Sequence, residues 1–335
     1  MSSSRWPSLA LAAGILSLTL TAGAGALDDV RRAVEFGYSQ QYDSAWHALG
    51  RVPACDSLAP LTGFWRAGLI QMLLYDSGDP ALADSFYRAS DRALAACRTR
   101  LAKRPRDAQA HMFYGLVQLN RANCQSWQRD RLKALFTLGS AANSLGRAAE
   151  LDSTLADAWF GLGAIEYFRA TADRYIGGMG IFGSSARAFQ RMARARAGRG
   201  WLHAACGFTL AFMRKEDGDA AGAVATCREV LREWPGNRTG LKLLRESCIT
   251  GGLYTEALAV ARALDSSITR DFPRNRYGLA ENRLAALKAW DGLGRRDSVL
   301  ACADRLIGWS PYERETPWLA DYVAEARQYR RKWEQ

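Results

Sequence analysis

Three glycines have the spacing closest to a known chemical motif. The run Gly178-x-Gly180-x-x-Gly183 has the spacing of the glycines that cradle a dinucleotide pyrophosphate. That motif works where it follows a strand and opens a helix, whereas here a helical pattern precedes it. A nucleotide role is therefore disfavoured. Two interpretations stay open: a plain loop between helices, or free N–H groups beside Arg174 and Arg187 that hold a carboxylate or phosphate.

Catalytic and metal-binding patterns are missing from the sequence. It has no GxSxG elbow, no HExxH pair and no aspartate-rich metal loop. The three histidines fall inside helical patterns, and none of the seven cysteines forms a CxxC pair. We therefore predict no catalytic residue, no metal and no cofactor, so that the chain is not an enzyme.

The first 26 residues have the pattern of a signal peptide. Arg5 gives a positive start, an apolar run covers 9–20, and Ala24-Gly25-Ala26 offers a small-residue cleavage site. The chain after Ala26 is polar and carries no stop-transfer pattern. The sequence predicts export to the periplasm or the medium, with no stable membrane insertion after cleavage.

The cysteines matter in an exported chain, because an oxidising compartment permits disulfides. The disulfides that we expect are Cys55 with Cys97 and Cys227 with Cys248, since each would join neighbouring helices. The alternative is that they are small buried residues in helix–helix contacts.

Composition favours helix throughout. Ala, Leu and Arg are abundant, and alternating β-branched runs are rare, so no sheet is predicted. The net charge of +11 is carried by scattered arginines, which argues against nucleic acid. It indicates a solvated basic exterior, an acidic partner or an anionic envelope surface.

One stretch reveals the architecture. Trp159-x-x-Leu162-Gly163 resembles the opening of the tetratricopeptide (TPR) repeat, which has a period of about 34 residues. Trp159 and Leu162 share a helix face, and Gly163 permits close approach of the partner helix. The stretch departs from the family at Glu166, where tyrosine is expected, and at Ser153, where proline is usual.

The resemblance implies an all-α fold, a right-handed α-solenoid of helix–turn–helix repeats in one domain. After the signal peptide (1–26), we place the solenoid over 27–335. We interpret 120–131 as a polar insertion. The best-matched repeats and the final capping helix are predicted at 154–198, 199–235, 236–266 and 316–333.

The resemblance also implies a binding groove along the first helix of each pair. Several of its positions are aromatic, which suits an apolar peptide or a lipid-like anchor. The alternative is that these aromatic side chains only pack between repeats. The charged clamp of chaperone-binding TPRs is missing. Arg174, Tyr175, Gly178 and Gly180 would form a loop at one end. The implied groove residues are Met112, Leu116, Phe160, Ala164, Tyr167, Phe208, Phe212, Lys242 and Glu246.

The function predicted from these features is that of an exported adaptor or scaffold, which recognises a protein or peptide in its groove. The alternative is a periplasmic small-molecule or lipid-binding accessory of a transport system. A closed apolar cavity around Tyr167 and Phe208 would favour the alternative, and an open groove would favour the peptide.

Overall fold

The computed structural model describes residues 25–175, 183–316 and 318–334. Within these ranges the chain forms fifteen α-helices and no strand. The helices are α1 (25–38), α2 (Tyr42–Arg51), α3 (Ala59–Ser77), α4 (Leu82–Lys103), α5 (Ala108–Trp127), α6 (Arg131–Leu151), α7 (Ala156–Tyr175), α8 (Ser185–Ala197), α9 (His203–Glu216), α10 (Ala220–Glu233), α11 (Arg238–Thr250), α12 (Tyr254–Asp271), α13 (Arg276–Gly292), α14 (Arg296–Ile307) and α15 (Leu319–Glu334).

The helices form seven pairs, and α15 packs against the last pair. Each helix from α3 onward packs mainly on its neighbours in sequence, as expected of a repeat array. Small residues permit the close contacts. A Cβ on Gly163 of α7 would lie 3.3 Å from the Ala188 carbonyl oxygen of α8. The fold is therefore the predicted all-α repeat fold.

Polar side chains fix many helix starts. Asp107, Asp130 and Asp219 accept hydrogen bonds from the first turns of α5, α6 and α10. The cap at Asp130 lies inside the segment 120–131 that the sequence suggested as a polar insertion. That prediction was wrong, because α5 continues through Trp127 and only a short turn separates it from α6.

The solenoid also closes on itself. Two asparagines, Asn237 and Asn275, each use the side-chain oxygen to cap their own helix, α11 and α13. Each donates its amide to a carbonyl 199 residues earlier, of Tyr38 at 2.7 Å and of Asp76 at 2.8 Å. The start of the array is thereby bonded to its later pairs.

A buried ion pair strengthens this closure. Arg238, the first residue of α11, donates to both carboxylate oxygens of Asp76 near the end of α3, with Nε–Oδ1 at 2.6 Å. The same guanidinium also binds Asp271 and donates to Ser267 Oγ at 2.9 Å. Tyr42 donates its hydroxyl to Asp76 at 3.0 Å. We call Asp76, Arg238 and Asp271 the closure cluster.

Candidate functional site

The first helices of three successive pairs surround a cavity of about 460 Å³. Residues of α5, α7 and α9 form most of its wall, and α6 contributes Ala134 and Leu138. Its lining is largely apolar, with polar groups of Asn120, Asn123 and Thr209 among them. We call this space the aromatic groove. Its remaining lining residues are Leu119, Ala122, Ser126, Phe160, Ala164, Tyr167, Phe168, Thr171, Phe212 and Glu216.

Phe160, Tyr167 and Phe212 lie together in the groove, with the predicted groove position Ala164. The rings of Tyr167 and Phe212 meet edge to face, with centroids 6.3 Å apart. Tyr167 is buried and donates its hydroxyl to Asp217 at 2.9 Å, which fixes the ring. Phe212, in contrast, is 44% exposed. The groove thus combines a fixed aromatic wall with a ring open to solvent.

Met112, Leu116 and Phe208 do not line the groove as predicted. All three are buried in the main core. Leu116 faces α7, where a Cβ on Gly161 would lie 3.3 Å from it. Phe208 faces α11, where a Cβ on Gly240 would lie 2.8 Å from its ring. These side chains hold consecutive pairs together instead of contacting a ligand.

Lys242 and Glu246 lie on α11 and do not line the groove either. Lys242 pairs with Glu281 at 3.1 Å and lies over the Tyr277 ring. Burial opposes the charged form of Lys242, but the Glu281 carboxylate raises its pKa above the usual value. Glu246 accepts hydrogen bonds from the buried Arg245. Both charged groups are therefore engaged in ion pairs with neighbouring side chains.

The glycine-rich loop is only partly within the described residues. Gly178 and Gly180 lie outside them. Arg174 and Tyr175 were predicted to belong to the loop, but they are the last residues of α7. Gly183 is described, and a Cβ there would lie 2.4 Å from the Ala170 backbone nitrogen. This glycine is thus needed for close packing on α7.

The start of α8 already holds a carboxylate of the chain itself. Buried Glu166 accepts from the Ser184 backbone N–H at 3.0 Å, from Arg187 Nε at 2.9 Å and from Arg191 at 3.3 Å. Ser184 Oγ caps the helix by accepting from the Arg187 N–H. Of the donors that could have held an external anion, Ser184 N–H and Arg187 Nε are therefore occupied by Glu166. Its position is the one at which the repeat pattern expects tyrosine.

All seven cysteines lie within the described residues, and all are free thiols. Neither preferred disulfide is formed in the structure. Cys55 is exposed whereas Cys97 is buried, and Cys227 and Cys248 are both buried. Burial raises the pKa of Cys97 and Cys227 to about 12, which makes them poor nucleophiles. Among the described residues, no group of three or more His, Cys, Asp or Glu could hold a metal ion.

Comparisons with known proteins concern the fold. No family model and no curated protein matches the chain. Two similar solved structures are PilW, described as a widely conserved type IV pilus biogenesis factor, and YrrB, described as a TPR protein with an unusual peptide-binding site. Their identities to this chain are 17% and 16%, with TM-scores of 0.48 and 0.44. Each covers 70% of this chain, with 93% of PilW and 98% of YrrB covered in turn.

The chain is an all-α solenoid of helix–turn–helix repeats, as its seven helix pairs show. The stretch around Trp159 resembles the TPR repeat. Sequence reasoning missed most of the other lining residues of the groove, among them Asn120, Asn123 and Phe168. The two asparagines are one helical turn apart. They continue the helical spacing that begins with Leu116 and Leu119, so that all four side chains lie on one face of α5. That spacing was the signal that α5 does not end at 120.

Proposed function

We propose that this TPR-like solenoid is a protein-binding scaffold that takes up an apolar peptide segment in the aromatic groove. The observation that supports the proposal most is the exposure of two phenylalanine rings. Phe168 and Phe212 are 42% and 44% exposed at the rim of a cavity whose deeper wall holds Phe160 and Tyr167. Exposed large rings around a concave site are typical of peptide recognition.

The shape of the groove favours a peptide over an enclosed small molecule. A closed cavity around Tyr167 and Phe208 would support a carrier of lipids or metabolites, but Phe208 is buried between helices. The groove instead opens to solvent past Phe168 and Phe212. Carboxamide groups of Asn120 and Asn123 on its wall are suited to hydrogen-bond a peptide backbone. We therefore infer that the occupant is a chain segment with large apolar side chains.

The lining also supports a binding role over catalysis. Among the residues that line the groove, Glu216 and Tyr167 are the two with an ionisable side chain, and Tyr167 already donates to Asp217. An acid–base mechanism needs two groups with matched pKa values near one reacting atom. We infer a scaffold that is not an enzyme.

We further infer export to the periplasm or the medium. This proposal rests on the signal-like pattern of residues 1–26, nearly all of which precede the described fold. Within the described residues, no helix has the length and apolar character needed to cross a bilayer. The peptide partner would then be met outside the cytoplasm.

Site-specific photo-crosslinking in cells tests the binding proposal. A photoreactive residue at Phe212 should capture one polypeptide, and the same residue at Ala225, exposed on α10, should not. Combining the Phe212 probe with Phe160→Ala should weaken capture by roughly tenfold or more, because burying one aromatic side chain contributes about 1.5–3 kcal/mol. Equal capture from both positions would refute the groove, and a crosslinked lipid in place of a polypeptide would favour the carrier.

A further inference from the structure

Among the described residues, the exposed large apolar side chains lie along one edge of the solenoid. Within the described residues there are seven, and each lies near the end of an odd-numbered helix or the start of the next one. Helices joined by short turns run antiparallel, so these positions share the edge formed by the turns within pairs. The seven are Leu132, Leu135, Phe136, Phe168, Phe212, Leu253 and Leu293.

Three of them form a compact patch on the first turns of α6. Leu132, Leu135 and Phe136 are 67%, 54% and 74% exposed. Their spacing of three and four residues places them on one helix face, opposite the face on which Ala134 is buried. We call these three residues the α6 tip. Apolar residues exposed this far at neighbouring positions mark an interaction surface.

The charges around the α6 tip are basic. Arg131 and Lys133 are exposed beside it, and neither forms an ion pair with any described residue. Asp130 is used as the α6 cap, where it accepts from the Lys133 N–H, and Arg129 is paired with Asp321. Two unpaired cations therefore flank three projecting apolar side chains, in a chain of net charge +11.

We propose that the α6 tip docks the protein on the surface of an anionic lipid bilayer. The three apolar side chains enter the headgroup boundary while Arg131 and Lys133 meet the lipid phosphates. The shape of the tip favours a lipid surface over a peptide. A peptide site needs a concavity, whereas none of these three side chains lines a described cavity. A second copy would also bring two sets of like charges together.

Vesicle flotation tests this proposal with the chain from Gly25 onward, which contains the whole described fold and lacks the apolar run at 9–20. The probes are vesicles of phosphatidylethanolamine with phosphatidylglycerol, and vesicles of phosphatidylcholine alone. The wild-type chain should float with the anionic vesicles, and less with the neutral ones. Leu132→Ser/Leu135→Ser/Phe136→Ser should lower the partition coefficient by roughly tenfold or more.

Two further variants make the result specific. Leu253→Ser/Leu293→Ser removes exposed apolar side chains from other turns of the same edge, and its partitioning should match the wild type. Arg131→Gln/Lys133→Gln should weaken flotation with anionic vesicles and leave neutral vesicles unaffected. Thermal melts by circular dichroism should be unchanged in all variants, because the altered side chains are exposed.

Three outcomes would overturn the proposal. The first is that the wild-type chain does not float with anionic vesicles. The second is that the Leu253/Leu293 variant loses as much partitioning as the α6 variant. The third is that sedimentation velocity shows a self-association that the α6 variant abolishes while flotation is retained, which would assign the tip to a second copy of the chain.

Discussion

The ion pair between Asp76 and Arg238 should respond most strongly to mutation. Both side chains are buried, and the guanidinium donates to both carboxylate oxygens. Arg238→Met keeps the apolar stem but leaves the Asp76 carboxylate with the Tyr42 hydroxyl as its remaining side-chain donor among the described residues. A buried charge that loses its partner destabilises a protein by about 3–5 kcal/mol. We expect a loss of this size in the free energy of unfolding.

The two sides of the pair should not respond equally. In Asp76→Asn the Arg238 guanidinium keeps Asp271 and Ser267, so the expected loss is smaller, about 1–3 kcal/mol. The double variant Asp76→Asn/Arg238→Met should lose less than the sum of the single changes, because no unpaired carboxylate remains. The coupling energy should fall within about 0.5–3 kcal/mol.

Urea unfolding at neutral pH, followed by circular dichroism, measures these differences. Arg228→Met is the matched control, because Arg228 makes a 2.7 Å ion pair with Glu256 in an exposed position, and exposed pairs contribute little. X-ray scattering should show an increased radius of gyration for Arg238→Met if closure depends on the pair. Equal destabilisation by Arg238→Met and Arg228→Met would refute this reasoning.

Three further predictions concern buried groups elsewhere. Phe208→Ala should lower the free energy of unfolding by about 3–5 kcal/mol in urea titrations, whereas Phe212→Ala should change it little, because the first ring is buried and the second is 44% exposed. Burial raises the pKa of Asp157 to about 6 from its ordinary value of 3.8. The carboxyl is therefore more easily protonated in the folded chain, so stability should fall by up to about 3 kcal/mol as the pH rises from about 4 to about 7. Urea titrations at several pH values should show this fall in the wild type and flatten it in Asp157→Asn. Glu166→Gln should reduce the thermal stability, with a loss of about 1–3 kcal/mol, since it weakens charge-assisted hydrogen bonds from Arg187 and Arg191. The exposed change Glu216→Gln is its control, and equal melting of both variants would contradict the role given to Glu166.

Local spacing was enough to predict the repeat units. Trp159, Leu162 and Gly163 describe one helix face and one close approach, and both depend on residues within a turn or two of each other. The structure adds the detail that Trp159 donates its indole N–H to Ser153 and lies under the Arg194 guanidinium. Contacts of this kind are set by the period of the chain, and the period is visible in the sequence.

The sequence did not predict which of the groove residues are exposed to solvent. Phe208 and Phe212 have the same side chain and lie four residues apart on α9, so a helical pattern treats them alike. Gly240 on α11 makes the difference, because it leaves room for the Phe208 ring, while Phe212 lies beyond that contact. Which of two equivalent positions is buried depends on a residue of the next pair, and no local pattern contains that information.

The sequence did not predict the closure of the solenoid either. The closure matters for ligand binding because it limits how far the groove can change shape. In an open solenoid each repeat contacts only its neighbours, so the curvature can change at a small energetic cost in each repeat. Here Asn237 and Asn275 bond helices 199 residues apart, and Arg238 adds a buried ion pair. A change in curvature would have to break these contacts together. The aromatic groove lies within the stretch of chain that they close, so these contacts also oppose changes in its width. A preformed groove spares a ligand the free energy of ordering the repeats, which favours recognition of short apolar segments that bury little area.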